Sequence, residues 1–136
     1  MMTTIHAYTG DQPTHDGTHK DPYRGRAAAL SMIPTSTGAA KAIGKVLPHL
    51  DGTLSGVAVR VPVANVSMVD LSVTTKRPAT VETVRKAFKA ECEGRSNGIL
   101  GYIDEALVST DLNHNPNSSN FVEAVSYTHL TLPTKA

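Results

Sequence analysis

Two neighbouring features near the start of the chain carry side chains suited to acid–base chemistry. His6 follows an apolar stretch at residues 2–5, and a polar segment that contains Thr9 and Asp11 comes directly after it. A strand end is a common place for a functional side chain, and histidine is the usual general base near neutral pH. The residues alone leave a second explanation open, in which His6 is an ordinary histidine with a satisfied hydrogen bond.

Two further features could bind an anion. Thr37 and Gly38 stand where a helical pattern begins, and the free N–H groups of a helix start can hold a phosphate. Arg60 interrupts an apolar strand pattern and could clamp an anion through its guanidinium. A plain helix cap and an arginine with its stem packed on the solvent face remain the alternatives. Five residues separate Gly38 from Gly44, so the phosphate-loop motif, which needs four, is excluded.

Two other candidate sites are unfavourable on chemical grounds. Cys92 is the single cysteine; it lies on the apolar side of a predicted helix between Glu91 and Glu93, where burial and negative charge disfavour a thiolate. A loop cluster of potential metal ligands consists of His15, Asp16, His19 and Asp21. Their spacing matches no common zinc pattern, so we expect no metal site.

The composition narrows the class of protein. The chain has 136 residues, of which 40% are hydrophobic, and 13 basic against 12 acidic residues give a net charge of +1. A net charge this small predicts neither nucleic-acid nor membrane binding. One cysteine is compatible with a reducing compartment, and no apolar run has membrane length. We therefore expect a soluble, cytoplasmic protein.

The hydrophobic periodicity predicts two helices. The first begins at a cap supplied by Ser36 or Thr37 and ends at Pro48. Its apolar stripe comprises Ala39, Ala40, Ile43, Val46 and Leu47. The second begins at a Thr80 cap, with Thr83 in place of the usual acidic partner, and ends at Gly94. Its buried stripe comprises Val81, Val84, Phe88 and Cys92.

Strand patterns complete the expected fold. Residues 57–63 and 68–73 alternate with a period of two and are joined through Ala-Asn-Val-Ser, which predicts neighbouring antiparallel strands. Pro62 suggests an edge or a bulge. Shorter strands are predicted at residues 99–103 and 107–109, and residues 10–26 read as a long loop. The fold class is α+β, a mixed or antiparallel sheet with helices on one face.

Three stretches of sequence resemble the catalytic domain of the glyceraldehyde-3-phosphate dehydrogenase family. They read MTTIHAYTGDQ, HKDPYRGRAAALSMIPTSTGAAKAIGKVLPHLDGTLSG and AVRVPVANVSMVDLSV. The resemblance is nearly continuous from residue 2 to about residue 122, and these distinctive motifs occur in the family's order and spacing.

The resemblance implies roles for the residues introduced above. It implies an enzyme that converts glyceraldehyde 3-phosphate, NAD and inorganic phosphate to 1,3-bisphosphoglycerate and NADH through a cysteine thiolate. His6 matches the general base that pairs with this thiolate. The contacts to the phosphate of the substrate are matched by Thr9 and Arg60, with Asp11 beside them. The site of the attacking inorganic phosphate is matched by Thr37 and Gly38.

The resemblance also implies an organisation. Residues 1–124 would be part of a C-terminal catalytic domain in a homotetramer, with residues 8–29 as a loop that reaches a neighbouring subunit's cofactor. Neither the family's Ser-Cys-Thr-Thr-Asn nucleophile motif nor a dinucleotide-binding fingerprint occurs, so the chain is expected to be an inactive fragment without the dinucleotide-binding domain. The choice between NAD and NADP depends on residues that are not in this sequence.

The end of the chain, VSYTHLTLPTKA, does not resemble the family. It reads like a translated sequencing adapter, so we expect residues 125–136 to be a non-native, mobile tail; a divergent strand in which Val125, Tyr127 and His129 alternate is the alternative. Two alternative functions also remain. One is a fragment of an erythrose-4-phosphate dehydrogenase, and the other is a non-enzymatic module for phosphate binding or oligomerisation.

Overall fold

The computed structural model describes residues 1–129 and divides the chain into two compact units, Met1–Val73 and a second that begins at Thr74. In chain order the regular elements are β1 (Met2–Ala7), β2 (Ile33–Ser36), α1 (Ala39–Val46), β3 (Gly56–Val61), β4 (Ser67–Leu71), α2 (Val81–Glu93), β5 (Leu100–Ile103), β6 (Ser119–Val122) and α3 (Glu123–His129). Among the described residues, no helix is long and apolar enough to cross a membrane.

The first unit is a mixed four-stranded sheet in the order β2-β3-β1-β4. Strand β1 runs parallel to β3 and antiparallel to β4, and β2 runs antiparallel to β3. Helix α1 lies close to the face that carries Met2 and Gly56, since a Cβ at Gly56 would be 3.3 Å from the Ala40 Cβ. The opposite face carries Val57 and Met68, which are exposed within this chain. The predicted α+β class with a mixed sheet is confirmed.

One predicted strand pairing is wrong. Strands β3 and β4 are antiparallel to each other, but β1 lies between them and pairs with both. The connection after β3 therefore crosses the end of β1, where Val66 adopts a positive φ of 69° and its carbonyl accepts from Ala7 N. Pro62 follows the last residue of β3 rather than marking an edge or bulge. Alternation identifies strands and their faces, whereas it does not identify their neighbours.

The N-cap of helix α1 is Gly38, which directly follows the predicted Ser36 or Thr37 and has no side-chain cap bond, although Thr37 Oγ1 accepts from Ala39 N at 3.1 Å. The helix ends at Val46, before Pro48. The predicted apolar stripe of α1 is exposed within this unit at the C-terminal end of the helix, where Val46 is 78% exposed. The buried residue of the helix is Gly44, where a Cβ would lie 3.0 Å from Asp51 Cγ, so the close approach of Asp51 explains a glycine inside a helix.

Helix α2 has the predicted cap and the predicted end at Gly94. The usual acidic partner is absent, as the sequence indicates, and Thr83 completes the capping box in its place. Thr83 N donates to Thr80 Oγ1 at 3.2 Å, and Thr80 N donates to Thr83 Oγ1 at 2.9 Å. The threonine hydroxyl therefore takes the place of the glutamate carboxylate that usually completes such a box.

The second unit contains a parallel pair, β5 and β6, against which α2 packs. The rings of Phe88 and Phe121 stack with centroids 4.0 Å apart. Tyr102 donates to Glu123 Oε2 at 2.7 Å, and partial burial together with this bond raises the pKa of Tyr102 to about 12. The strand predicted at 99–103 is confirmed as β5, whereas the one predicted at 107–109 is wrong. That segment leads into a 3₁₀ turn, because Asp111 Oδ2 accepts from Val108 N.

The last described element is α3, and it bears on one of the alternatives for the end of the chain. Residues 125–129 are helical, so the alternative of an alternating strand at Val125, Tyr127 and His129 is wrong. The remainder of the predicted non-native tail, residues 130–136, lies outside the described residues. The non-native origin of the tail stays a prediction.

Candidate functional site

Three of the predicted site residues meet at the ends of β1 and β3. His6 and Arg60 are register partners in these parallel strands, so their side chains lie on the same face of the sheet. Arg60 Nη1 lies 3.3 Å from His6 Nδ1 and donates to Thr9 Oγ1 at 3.2 Å and to the Ala7 carbonyl at 3.0 Å. His6, Thr9 and Arg60 therefore lie on one side of the sheet.

The contacts of His6 define its tautomer. Nδ1 lies 2.7 Å from the Ala7 carbonyl, which can only accept, so Nδ1 of the neutral ring carries the proton. Arg60 has only donors, which means that its 3.3 Å approach to the same nitrogen is a contact and not a hydrogen bond. Nε2 consequently holds the lone pair that a general base needs.

The segment after β1 turns sharply and presents Thr9 to Arg60. Gln12 N donates to the Thr9 carbonyl at 2.9 Å, and Thr9 N donates to Gln12 Oε1 at 3.3 Å. The hydroxyl of Thr9 accepts from Arg60, which leaves its own proton available for a ligand. Thr9 and Arg60 together can therefore offer neutral and charged donors to one anion.

Asp11, which was predicted beside the anion contacts, faces a different cation. Its carboxylate accepts from Arg24 Nη1 at 2.7 Å and lies 3.5 Å from His19 Nε2. His19 Nδ1 lies 2.9 Å from Asp21 N and 3.1 Å from the Asp21 carbonyl oxygen, while Nε2 faces the Asp11 carboxylate. The hydrogen bonds from Arg24 and then from His19 hold the pKa of the Asp11 carboxyl below its usual range. Asp11 thus joins Arg24 and His19 within the loop.

Arg24 is a residue that sequence reasoning missed. Besides its bond to Asp11, its Nε donates to Thr35 Oγ1 at 2.9 Å, which fastens the loop to β2. Thr35 lies on the same face of the sheet as Arg60, because Ile33 pairs with Arg60 and residues two apart share a face. The only signal in the sequence was an arginine within a loop of opposite charges, which is too common to single it out.

Thr37 and Gly38 lie apart from this cluster. The preceding residue, Ser36, pairs with Val57, three residues before Arg60 along β3. At a rise of about 3.3 Å per residue, the start of α1 is separated from the Arg60 end of the sheet by about 10 Å along the strand. The two predicted anion sites are therefore separate in the structure.

The remaining candidates have structural partners. In the loop cluster, Asp16 accepts from Arg26 Nε at 3.0 Å and from Ala27 N at 2.9 Å. Within residues 1–129, no group of three or more metal-ligating side chains is placed to hold an ion. Cys92 lies on the packed side of α2 and is 8% exposed.

Comparisons with known proteins extend over almost the whole chain. Residues 1–131 match the model of the family described as glyceraldehyde 3-phosphate dehydrogenase, C-terminal domain. The chain is 60% identical over 121 residues to the glyceraldehyde-3-phosphate dehydrogenase of Xanthobacter flavus, covering 89% of the chain and 36% of that protein. It is 62% identical over 121 residues to that of Cereibacter sphaeroides, with the same coverage. Glyceraldehyde-3-phosphate dehydrogenase 1 of Bacillus cereus is 59% identical over 126 residues, which are 93% of the chain and 37% of that protein.

Proposed function

Because the chain belongs to the glyceraldehyde 3-phosphate dehydrogenase family and covers its C-terminal domain, we propose that it is the catalytic part of a phosphorylating aldehyde dehydrogenase. The whole enzyme would convert glyceraldehyde 3-phosphate, inorganic phosphate and NAD to 1,3-bisphosphoglycerate and NADH. The chain spans 36–37% of the length of the relatives described above, so further parts of the active site would come from the segments it does not cover. The observation that carries this proposal is the contact cluster of His6, Thr9 and Arg60.

In this proposal His6 accepts and donates the protons of the reaction. With Nδ1–H bonded to the Ala7 carbonyl, Nε2 can accept the proton of a cysteine thiol supplied by a segment outside this sequence. The thiolate then adds to the aldehyde carbon, and the oxyanion that forms takes the proton back from Nε2 to become a hydroxyl. The same nitrogen accepts this hydroxyl proton again when the hydride leaves. NAD, when bound, accepts this hydride; the residues that hold it would belong to the dinucleotide-binding part of the relatives.

The two separate anion sites fit the two ends of the product. Arg60 and Thr9 would bind the phosphate that the substrate already carries, through a guanidinium and a hydroxyl. Thr37 and Gly38, at the start of α1, would bind the inorganic phosphate that attacks the thioester, through a hydroxyl and backbone N–H groups. A product with one phosphate at each end needs two such sites at a distance from each other.

The same proposal covers the assembly of the enzyme. We place it in the cytoplasm as a homotetramer, with the loop at residues 8–29 reaching the cofactor of a neighbouring subunit. The bonds of Arg24 to Asp11 and to Thr35 support an ordered loop of this kind. The relatives described above are all named for glyceraldehyde 3-phosphate, and none of them supports the erythrose 4-phosphate alternative.

The test of the proposal is the substitution His6→Ala in the full-length enzyme that contains this chain. Removing a general base lowers kcat by about 10²–10⁴-fold, and the KM for the aldehyde changes much less. His49→Ala is the matched control, because His49 is an exposed histidine in the same unit. A kcat for His6→Ala within twofold of the control would show that His6 is not the base.

A further inference from the structure

We propose that Gln12 is a positioning residue for the anion site that Thr9 and Arg60 form. This inference rests on the proposed function, since it assigns to Gln12 the task of holding Thr9 in place for a phosphate. It follows from how Gln12 is bonded and from how deeply it is buried.

The bonds of Gln12 fix Thr9 from both sides of its backbone. Gln12 N donates to the Thr9 carbonyl at 2.9 Å, and the Gln12 side-chain oxygen accepts from Thr9 N at 3.3 Å. With both backbone groups held, the Thr9 side chain keeps the orientation in which Arg60 reaches its hydroxyl. Neighbouring Gly10 lies in open space, so the rest of the turn supplies little packing to do this.

The burial of Gln12 shows that packing alone does not account for its carboxamide. Gln12 is 8% exposed, and its Nε2 is buried without a hydrogen-bond partner among the described residues. A buried donor without a partner lowers stability. A methionine of similar length would avoid this penalty but could not accept from Thr9 N–H. The carboxamide therefore holds the backbone of Thr9 in place, although its unpartnered Nε2 lowers the stability of the fold.

The chain offers a matched control for this argument. Thr4 is 8% exposed, and its Oγ1 is likewise buried without a partner. Thr4 lies on the same sheet face as His6, two residues before it, and its hydroxyl makes no hydrogen bond to the Thr9 turn or to any other part of the chain that the structure describes. Thr4→Val removes an unpartnered buried polar atom just as Gln12→Met does, but it leaves the acceptor of Thr9 N–H in place.

The experiment titrates the 136-residue chain with glycerol 3-phosphate, a phosphate monoester of a three-carbon alcohol, and follows the amide signal of Thr9 by NMR. We expect Gln12→Met to raise the Kd by about 2- to 10-fold, the range that one neutral hydrogen bond supplies. The exchange of the Thr9 amide proton becomes faster, and Tm does not fall. Thr4→Val leaves both the Kd and the Thr9 exchange rate unchanged.

Arg60→Ala, measured in the same titration, tests the anion site separately from the role of Gln12. If Arg60→Ala abolishes binding while Gln12→Met binds like the wild type, the anion site stands and the role of Gln12 is refuted. Equal weakening by Gln12→Met and Thr4→Val would also refute it, since the effect would then be a general loosening of the unit. No binding by the wild type, or unchanged binding by Arg60→Ala, would refute the anion site itself.

Discussion

One guanidinium nitrogen of Arg60 contacts the Thr9 hydroxyl, the Ala7 carbonyl and the candidate base His6. A lysine could place a charge and three donors there, but it lacks the planar fork that binds a phosphate through two parallel hydrogen bonds. The anion site therefore depends on the identity of this side chain and not only on its charge.

The first prediction at this scale is that Arg60→Ala in the full-length enzyme weakens binding of the phosphorylated aldehyde. A charge-assisted hydrogen bond contributes about 1.5–3 kcal/mol, which corresponds to about 10- to 150-fold in kcat/KM. Arg95→Ala is the control, because the Arg95 side chain is exposed and, among the described residues, pairs only with Glu91 of the preceding helix turn. Equal kcat/KM values for the two variants would show that Arg60 merely covers the surface.

The second residue-scale prediction concerns acid. The pKa of Asp11 is lowered in the folded chain, first by Arg24 and then by His19, so its ionised form favours folding. This contribution is present above the ordinary aspartate pKa of about 3.9 and is lost as the pH falls through the lower folded value. We expect the Tm of the wild type to fall more steeply than that of Asp11→Asn below about pH 4. Parallel Tm profiles from pH 6 to pH 2 would contradict this linkage.

The residues that sequence reasoning found and those it missed differ in where their partners lie. His6 follows an apolar strand pattern and Arg60 interrupts one, so both residues stand out in the sequence, although 54 positions separate them. Arg24 and Gln12 do not stand out in this way. Arg24 acts through Thr35, and Gln12 acts through the turn at Thr9, and both contacts exist only when the loop is folded.

At the scale of elements, local patterns were sufficient for α1, α2 and the strands with long alternation, whereas α3 was not predicted. Helix α2 has its predicted start and end because its caps are encoded within a few residues. Strands β2 and β6 are four residues each, too short to show a period, and they were not predicted. The insertion of β1 between β3 and β4 could not be read from either pattern, because pairing is set by contacts between distant segments.

The prediction for elements concerns the capping box of α2. Thr83→Ala removes the hydroxyl that accepts from Thr80 N, and we expect a loss of about 0.5–2 kcal/mol in the free energy of unfolding. Thr83→Glu restores an acceptor and places a negative charge at the helix start, so it retains the stability of the wild type. Urea unfolding followed by circular dichroism measures both. Equal losses for Ala and Glu would mean that Thr83 does not act as a cap.

At the scale of the whole molecule, the question is which parts of the reaction this chain can carry out. The first unit carries the proposed base and the proposed anion contacts, and in the second unit the only cysteine of the sequence is packed against its neighbours at 8% exposure. Glu91 and Glu93 flank it in the helix, which is the opposite of the cationic surroundings that activate a thiol. The thiolate that the proposed reaction needs must therefore come from the part of the enzyme that this sequence does not cover.

The last prediction follows from this division of roles. The 136-residue chain incubated with glyceraldehyde 3-phosphate, phosphate and NAD forms no NADH, because hydride transfer needs a thiolate and a bound cofactor next to the base. Iodoacetamide labels Cys92 slowly in the folded chain, since a buried thiol is shielded from the reagent. A Lys89→Cys variant that also carries Cys92→Ser provides the control, because Lys89 is exposed on the same helix and its cysteine is labelled rapidly. Aldehyde-dependent NADH formation by the chain alone, abolished by Cys92→Ser, would overturn the assignment of the nucleophile to another segment.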